Sequence, residues 1–138
     1  MLRRDDRANL LAKVPLFAGC SKKELSQIAA IADEMDFRKG KVLTRQGGPG
    51  REFFVLLEGG VDVERDGERI STLGVGDFFG ELGLLSQKPR SATVTTTSEA
   101  RLLIITETNF MRLLRESPSI SVKVLQAVAD RAIAAGLN

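Results

Sequence analysis

Residues 76–94 read Gly76-Asp77-Phe78-Phe79-Gly80-Glu81-Leu82-Gly83-Leu84-Leu85-Ser86-Gln87-Lys88-Pro89-Arg90-Ser91-Ala92-Thr93-Val94. Two glycines flank an aromatic pair, an acidic residue opens a short apolar run, and Pro89-Arg90 stands at the mouth of a β-branched segment. Gly80 has no Cβ, so the backbone there is free to turn tightly and to approach a ligand closely. Glu81 to Leu85 is expected to form one or two helical turns, whose first N–H groups have no internal partners. Such donors, together with the positive end of the helix dipole, attract an anion. Arg90 adds a permanently charged planar fork that matches two phosphate oxygens. Glu81 would repel the same phosphate, so its carboxylate is expected to accept from a neutral hydroxyl, such as that of a ribose. The stretch therefore predicts a pocket for a small sugar phosphate.

On either side of this stretch the chain reads as short strands, near 35–39, 41–46, 52–58, 61–65, 68–73, 91–97 and 100–106. They are rich in Val, Ile, Leu, Phe and Thr and are separated by Lys39-Gly40, Gly47-Gly48-Pro49-Gly50, Glu58-Gly59-Gly60 and Asp66-Gly67. Asp-Gly is a strong hairpin signal because both turn residues must accept positive φ. Val61 and Val63 alternate with Asp62 and Glu64, the period of a half-buried strand. Evenly spaced strands of this length indicate a β-sandwich or barrel, with the stretch 76–94 as a pocket in its wall. Phe53-Phe54 and Phe78-Phe79 are read as core, one ring of each pair pointing inward.

Helices are expected at both ends. Asp5 to Lys13 places Leu10 and Leu11 inward and stops at Val14-Pro15. Ser21 caps a second helix in a capping box with Glu24, and Leu25, Ile28, Ala29 and Ala32 share its buried face. Thr106 caps a third, with Phe110, Leu113 and Leu114 on one side. Ser117-Pro118 starts the last, which runs through Val124, Leu125, Val128 and Ala132 to Gly136.

Two motifs eight residues apart, Phe79-Gly80-Glu81-Leu82 with Leu84-Leu85, then Pro89-Arg90-Ser91-Ala92-Thr93-Val94, resemble the phosphate-binding cassette of the cyclic nucleotide-binding domain family. The lead-in Val14-Pro15-Leu16-Phe17 and Ser21 to Ile28 is also similar, with Cys20 where leucine is more usual. The resemblance covers nearly the whole chain. It implies a mainly β fold with flanking helices: an antiparallel β-roll (a jelly-roll-like barrel) with N-terminal helices, a short cassette helix and two C-terminal helices. The implied organisation is a single domain over 1–138, with a lead-in at 1–34, the β-roll at 35–106 holding the cassette 76–94, and helices at 107–138.

The implied function is a regulatory sensor of cyclic AMP rather than cyclic GMP. Its phosphate would be held by Arg90, Ser91 and the backbone N–H groups of Gly80, Leu82 and Ala92, and its ribose by Glu81. In the family a threonine at the place of Ser91 often accompanies preference for cyclic GMP. Residues 118–135 are expected to act as a lid, Val124, Leu125 and Val128 packing on Leu82, Leu84 and Leu85 while Arg131 stacks over the base. The sequence departs from the family's Glu-Leu-Ala-Leu-Leu at Gly83, which predicts a looser cassette helix, since glycine costs about 1 kcal/mol relative to alanine there. The loop Gly47 to Arg51 lacks the family's usual acidic residues, a matter of folding more than of ligand.

Composition narrows the alternatives. In 138 residues, 20 basic and 18 acidic side chains give a net charge of +2, too little asymmetry to imply a nucleic-acid partner. Histidine is absent, which removes histidine-based triads and argues against a cupin-like metalloenzyme on a similar barrel. With no nucleophile–base pair and no Walker-type loop, no catalysis, metal or cofactor is expected. The lone Cys20 forbids an internal disulfide and favours a reducing, cytoplasmic compartment, where it is read as packing. No apolar run is long enough to span a membrane, and the first residues do not form a signal peptide. The competing reading is a structural or interaction domain with a degenerate pocket that binds nothing. Family members pass their signal to an effector domain or partner protein. None is encoded in these residues, which leaves a segment of a larger protein or a free-standing sensor, and a weak homodimer is also allowed.

Overall fold

Strands form where the β-branched and aromatic runs lie: β1 (Asp33–Phe37), β2 (Val42–Thr44), β3 (Glu52–Glu58), β4 (Val61–Arg65), β5 (Glu68–Leu73), β6 (Phe78–Phe79), β7 (Thr93–Thr96) and β8 (Ala100–Thr106). The helices are α1 (Arg4–Leu11), α2 (Lys22–Ala30), α3 (Glu107–Glu116) and α4 (Pro118–Ala134), with 3₁₀ turns at Pro15–Phe17 and Glu81–Leu84. The computed structural model describes residues 3–86 and 88–136. The strands, Ala32–Glu107, form one unit; the chain up to Ile31 and from Thr108 forms another.

The strand unit holds two four-stranded sheets, ordered β1-β8-β3-β6 and β2-β7-β4-β5, and each pairing is antiparallel. This is the expected β-roll, built as two sheets rather than as a closed barrel. At the β4–β5 hairpin Asp66 and Gly67 take φ of 55° and 81°, as the Asp-Gly turn requires. The pair Phe78-Phe79 was not expected as a strand. It becomes one because Gly76 N–H donates to the Leu56 carbonyl (2.8 Å) and Leu56 N–H to that of Asp77 (2.9 Å). Those bonds lay Phe79 beside Phe54 and Phe78 beside Val55.

Phe79 stacks on Phe54 with ring centroids 4.7 Å apart. Together with Leu43 it packs against two core clusters, Phe54-Ala100-Leu102-Ile104 and Leu56-Val61-Val94. The expectation that one ring of each phenylalanine pair turns inward fails at β3, where Phe53 and Phe54 are both buried. β3 lies inside its sheet, between β8 and β6, and is buried on both faces from Phe53 to Leu57.

In the helical unit the Ser21 capping box is complete: Glu24 N–H donates to Ser21 Oγ (3.2 Å), and Ser21 N–H donates to Glu24 Oε1 (2.7 Å). The same buried carboxylate accepts from Ser119 Oγ of α4 at 2.5 Å and from Lys123 Nζ. One acid thus caps α2 and ties α4 to it. Cys20 is half-buried, and burial, followed by the Glu24 charge, pushes its thiol pKa up, consistent with packing rather than nucleophilic chemistry. The inward face of α4 is carried by Ile120 and Val124, while Leu125 is 70% exposed. That corrects the expectation that Leu125 packs inward.

The Glu24 clasp sets a pH dependence. Lys123 first, then the hydrogen bonds from Ser119 and Ser21, hold the Glu24 carboxyl down at about 2 from an ordinary 4.5. A depressed folded-state pKa stabilises above the unfolded value, and that stability is lost as pH falls through the folded one. Thermal unfolding of the wild type should therefore decline between pH 4.5 and about 2 more steeply than that of Glu24→Gln. At neutral pH Glu24→Gln should be less stable by about 1.5–3 kcal/mol. Parallel profiles for the two proteins would show that the clasp contributes nothing to folding.

Candidate functional site

Arg90 is fixed first through its backbone. Its N–H donates to the Gly48 carbonyl (3.0 Å), and its carbonyl accepts from Gly47 N–H (2.8 Å). The side chain then turns toward β3, where Nη2 donates to the Glu52 carbonyl at 2.9 Å. The guanidinium lies in a seat that only glycines allow. A Cβ at Gly50 would stand 2.4 Å from Arg90 Nε; one at Gly80 would stand 2.8 Å from Nη1 and 2.8 Å from the Glu52 carbonyl; one at Gly83 would stand 3.0 Å from Nη1. Gly80 also needs its φ of +80°, a conformation open to glycine and strained for other residues. Burial lowers the Arg90 pKa while the Glu52 charge opposes that shift; the group stays a cation.

Beside this seat lies a cavity of about 150 Å³ lined by Thr44, Phe79, Gly80, Arg90, Ser91 and Ala92, with Val63, Val94 and Arg65 completing the wall. The segment that carries residues 91–93 is held there by two side chains and one backbone donor from other strands and loops. Arg65 Nε donates to the Ser91 carbonyl (3.1 Å), Thr44 Oγ1 to the Ala92 carbonyl (3.0 Å), and Gln46 N–H to Thr93 Oγ1 (2.9 Å).

Of the candidate ligand residues, Gly80, Arg90, Ser91 and Ala92 meet at this cavity. Glu81 opens the 3₁₀ turn, is buried, and does not line the cavity. The side chains of Leu82 and Arg131 lie outside the described part of the structure. The helix expected over Glu81 to Leu85 is a single 3₁₀ turn, Glu81–Leu84, in which Gly83 N–H already donates to the Gly80 carbonyl. One turn carries little dipole, so attraction for an anion rests on Arg90. Gly83 is packed against the guanidinium rather than merely loose.

Sequence reasoning missed three contributors. The Gly47–Gly50 loop was assigned to folding, yet it grips the Arg90 backbone and opens space for its side chain; three glycines in four residues were the available signal. Thr44 and Arg65 gave no signal of their own, because only strand pairing brings them to residues 91 and 92. Among the described residues no helix is long and apolar enough to cross a membrane.

A family model described as the cyclic nucleotide-binding domain matches residues 34–117. The chain is 34% identical over 112 residues to a cAMP-dependent protein kinase regulatory subunit of Hypocrea atroviridis, covering 81% of the chain and 24% of that protein. It is 34% identical over 122 residues to a cyclic nucleotide-gated potassium channel of Rhizobium etli, covering 88% and 34%. The N-terminal domain of a transcriptional regulator from Streptomyces coelicolor A3(2) superposes with a TM-score of 0.85 at 30% identity, over 92% of each chain. The chain thus spans about a quarter to a third of the length of these two curated relatives.

The glycine seat predicts a graded response. Gly67 and Gly80 share nearly the same φ, 81° and 80°, but a Cβ at Gly67 meets nothing within 4 Å. Gly67→Ala should cost about 1 kcal/mol for its backbone alone. Gly80→Ala should cost clearly more, about 2–4 kcal/mol, since it also collides with the Glu52 carbonyl and Arg90. Urea unfolding of the two variants compares them, and equal losses would deny the seat its tightness.

Proposed function

The chain belongs to the cyclic nucleotide-binding domain family, and from that premise we propose that it is a sensor module taking up a 3′,5′-cyclic nucleotide, cyclic AMP before cyclic GMP, beside Arg90. The observation that carries this reading is the state of that guanidinium. Arg90 Nε is buried without a hydrogen-bond partner, and the side chain forms no ion pair with a described carboxylate. A half-buried cation whose Nε is buried and whose fork donates to a neutral carbonyl is incompletely compensated, and a phosphate monoanion at the adjoining cavity would supply what is missing.

Uptake requires movement. The cavity of about 150 Å³ is smaller than the roughly 300 Å³ at which ordinary ligand pockets begin. Releasing the Glu52 carbonyl and turning the fork toward the phosphate completes the pairing, and the cavity walls must part to admit the ligand. Ser91 next to Arg90 offers its hydroxyl to the same phosphate. Glu81, which is buried one residue beyond Gly80 and does not line the cavity as it stands, would accept from the ribose 2′-hydroxyl once the cavity opens. Ser91 in place of threonine, and the cAMP-dependent kinase subunit among the relatives, support cyclic AMP as the preferred ligand. The relatives are named for a kinase, a channel and a transcriptional regulator. This range supports a binding module that reports occupancy to an effector, and we read it as cytoplasmic and as doing no chemistry itself.

Calorimetric titration with cyclic AMP and cyclic GMP tests the reading. Cyclic AMP should bind more tightly, and Arg90→Ala should weaken it about 10- to 150-fold, the worth of a charge-assisted hydrogen bond. Saturable binding that is unchanged in Arg90→Ala would remove Arg90 from the site, and no binding of either nucleotide would favour a degenerate pocket. For Glu81, 2′-deoxy cyclic AMP should bind worse than cyclic AMP to the wild type, with a smaller gap in Glu81→Gln. An identical gap in both proteins would make Glu81 structural only.

A further inference from the structure

Arg90 is not the only guanidinium at the cavity. Arg65, the last residue of β4, lines the same wall and is exposed. Its Nε donates to the Ser91 carbonyl at 3.1 Å, which sets the base of the guanidinium against the residue that follows Arg90. The adjacent acid is engaged elsewhere: Asp66 Oδ1 accepts from Gln46 Nε2 and Asp66 N–H donates to Gln46 Oε1, both at 2.8 Å. Glu68, opposite Arg65 in the β4–β5 register, forms no ion pair with it. Among the described residues Arg65 has no carboxylate in ion-pair distance.

We infer that Arg65 is a second ligand-contacting cation, donating its Nη groups to the phosphate oxygen turned away from Arg90. The inference rests on the reading of this cavity as a cyclic nucleotide site and deepens it. A cyclic phosphate has two exocyclic oxygens sharing one negative charge. Arg90 reaches them from the buried side, and Arg65 lies where solvent enters, tethered at one nitrogen with the rest of its fork available. Being exposed, Arg65 contributes less to affinity than Arg90, and its contribution is screened by salt. It also draws the anion inward during encounter.

Titration of wild type, Arg65→Gln and Arg65→Lys with cyclic AMP, from low to high sodium chloride, tests this. Arg65→Gln should bind about 3- to 10-fold more weakly at low salt, with the deficit shrinking as salt rises. Arg65→Lys, which loses the Ser91 tether as Arg65→Gln does but keeps the charge, should recover part of the loss, while the two variants melt alike without ligand. If wild type binds and Arg65→Gln equals it at every salt, the inference is overturned. A deficit independent of salt and equal in Arg65→Gln and Arg65→Lys would assign Arg65 to supporting Ser91 and also overturn it. A wild type that binds neither cyclic AMP nor cyclic GMP would overturn the underlying reading of the cavity, and this inference with it.

Discussion

Room for one guanidinium governs the architecture around the cavity. Arg90 Nε and Nη1 come so close to the backbone at Gly50, Gly80 and Gly83 that a side chain at any of the three would press on them. The three positions come from two segments: Gly50 from the loop before β3, and Gly80 with Gly83 from the turn after β6. The first loop exchanges backbone bonds with Arg90 through Gly47 and Gly48, and the second segment follows the pairing of β6 with β3. The seat therefore depends on the β6–β3 pairing and on the 47–50 loop together. This couples the fold to the site, since strand pairing sets how far the cation is covered.

Burial of that charge also gives the site its capacity to respond. A guanidinium in water has little to gain from a phosphate, because solvent already satisfies it. Arg90 is half-buried and has exchanged part of that solvent for one bond to the Glu52 carbonyl and a buried Nε without a partner. Its interaction with an anion in so confined a place is worth more, and the seat and the anion compete for the same fork. On the proposed reading, occupancy and the position of Arg90 would be two aspects of one equilibrium, which a ligand shifts only by its differential affinity for the two arrangements.

Local signals were the legible part of the fold. β3, β4, β5 and β8 fall on the ranges that alternation and glycine breaks mark out, and the Ser21–Glu24 box forms because its chemistry is contained within four residues. Long-range chemistry was not legible. Glu24 also receives Ser119 and Lys123, 95 and 99 residues away, which no local pattern announces. β6 exists only because β3 is there to receive it. Leu125 sits at an apolar helical position yet faces outward, since α4 has more apolar residues than its buried stripe can use. At the site, motif spacing pointed to Gly80, Arg90, Ser91 and Ala92, whereas the glycines of the 47–50 loop and the Arg65 tether depend on cross-strand placement that sequence order conceals.

The central claim is that the Arg90 fork leaves the Glu52 carbonyl for the ligand's phosphate. The most direct measurement is the ¹⁵N–¹H NMR signal of the Arg90 Nε–H, assigned with Arg90→Lys and followed as cyclic AMP is added. The expected result is a saturable shift of that signal, in step with occupancy, toward the position of a phosphate-bonded guanidinium. A ligand that saturates the protein while the Arg90 signal stays in place would contradict the claim.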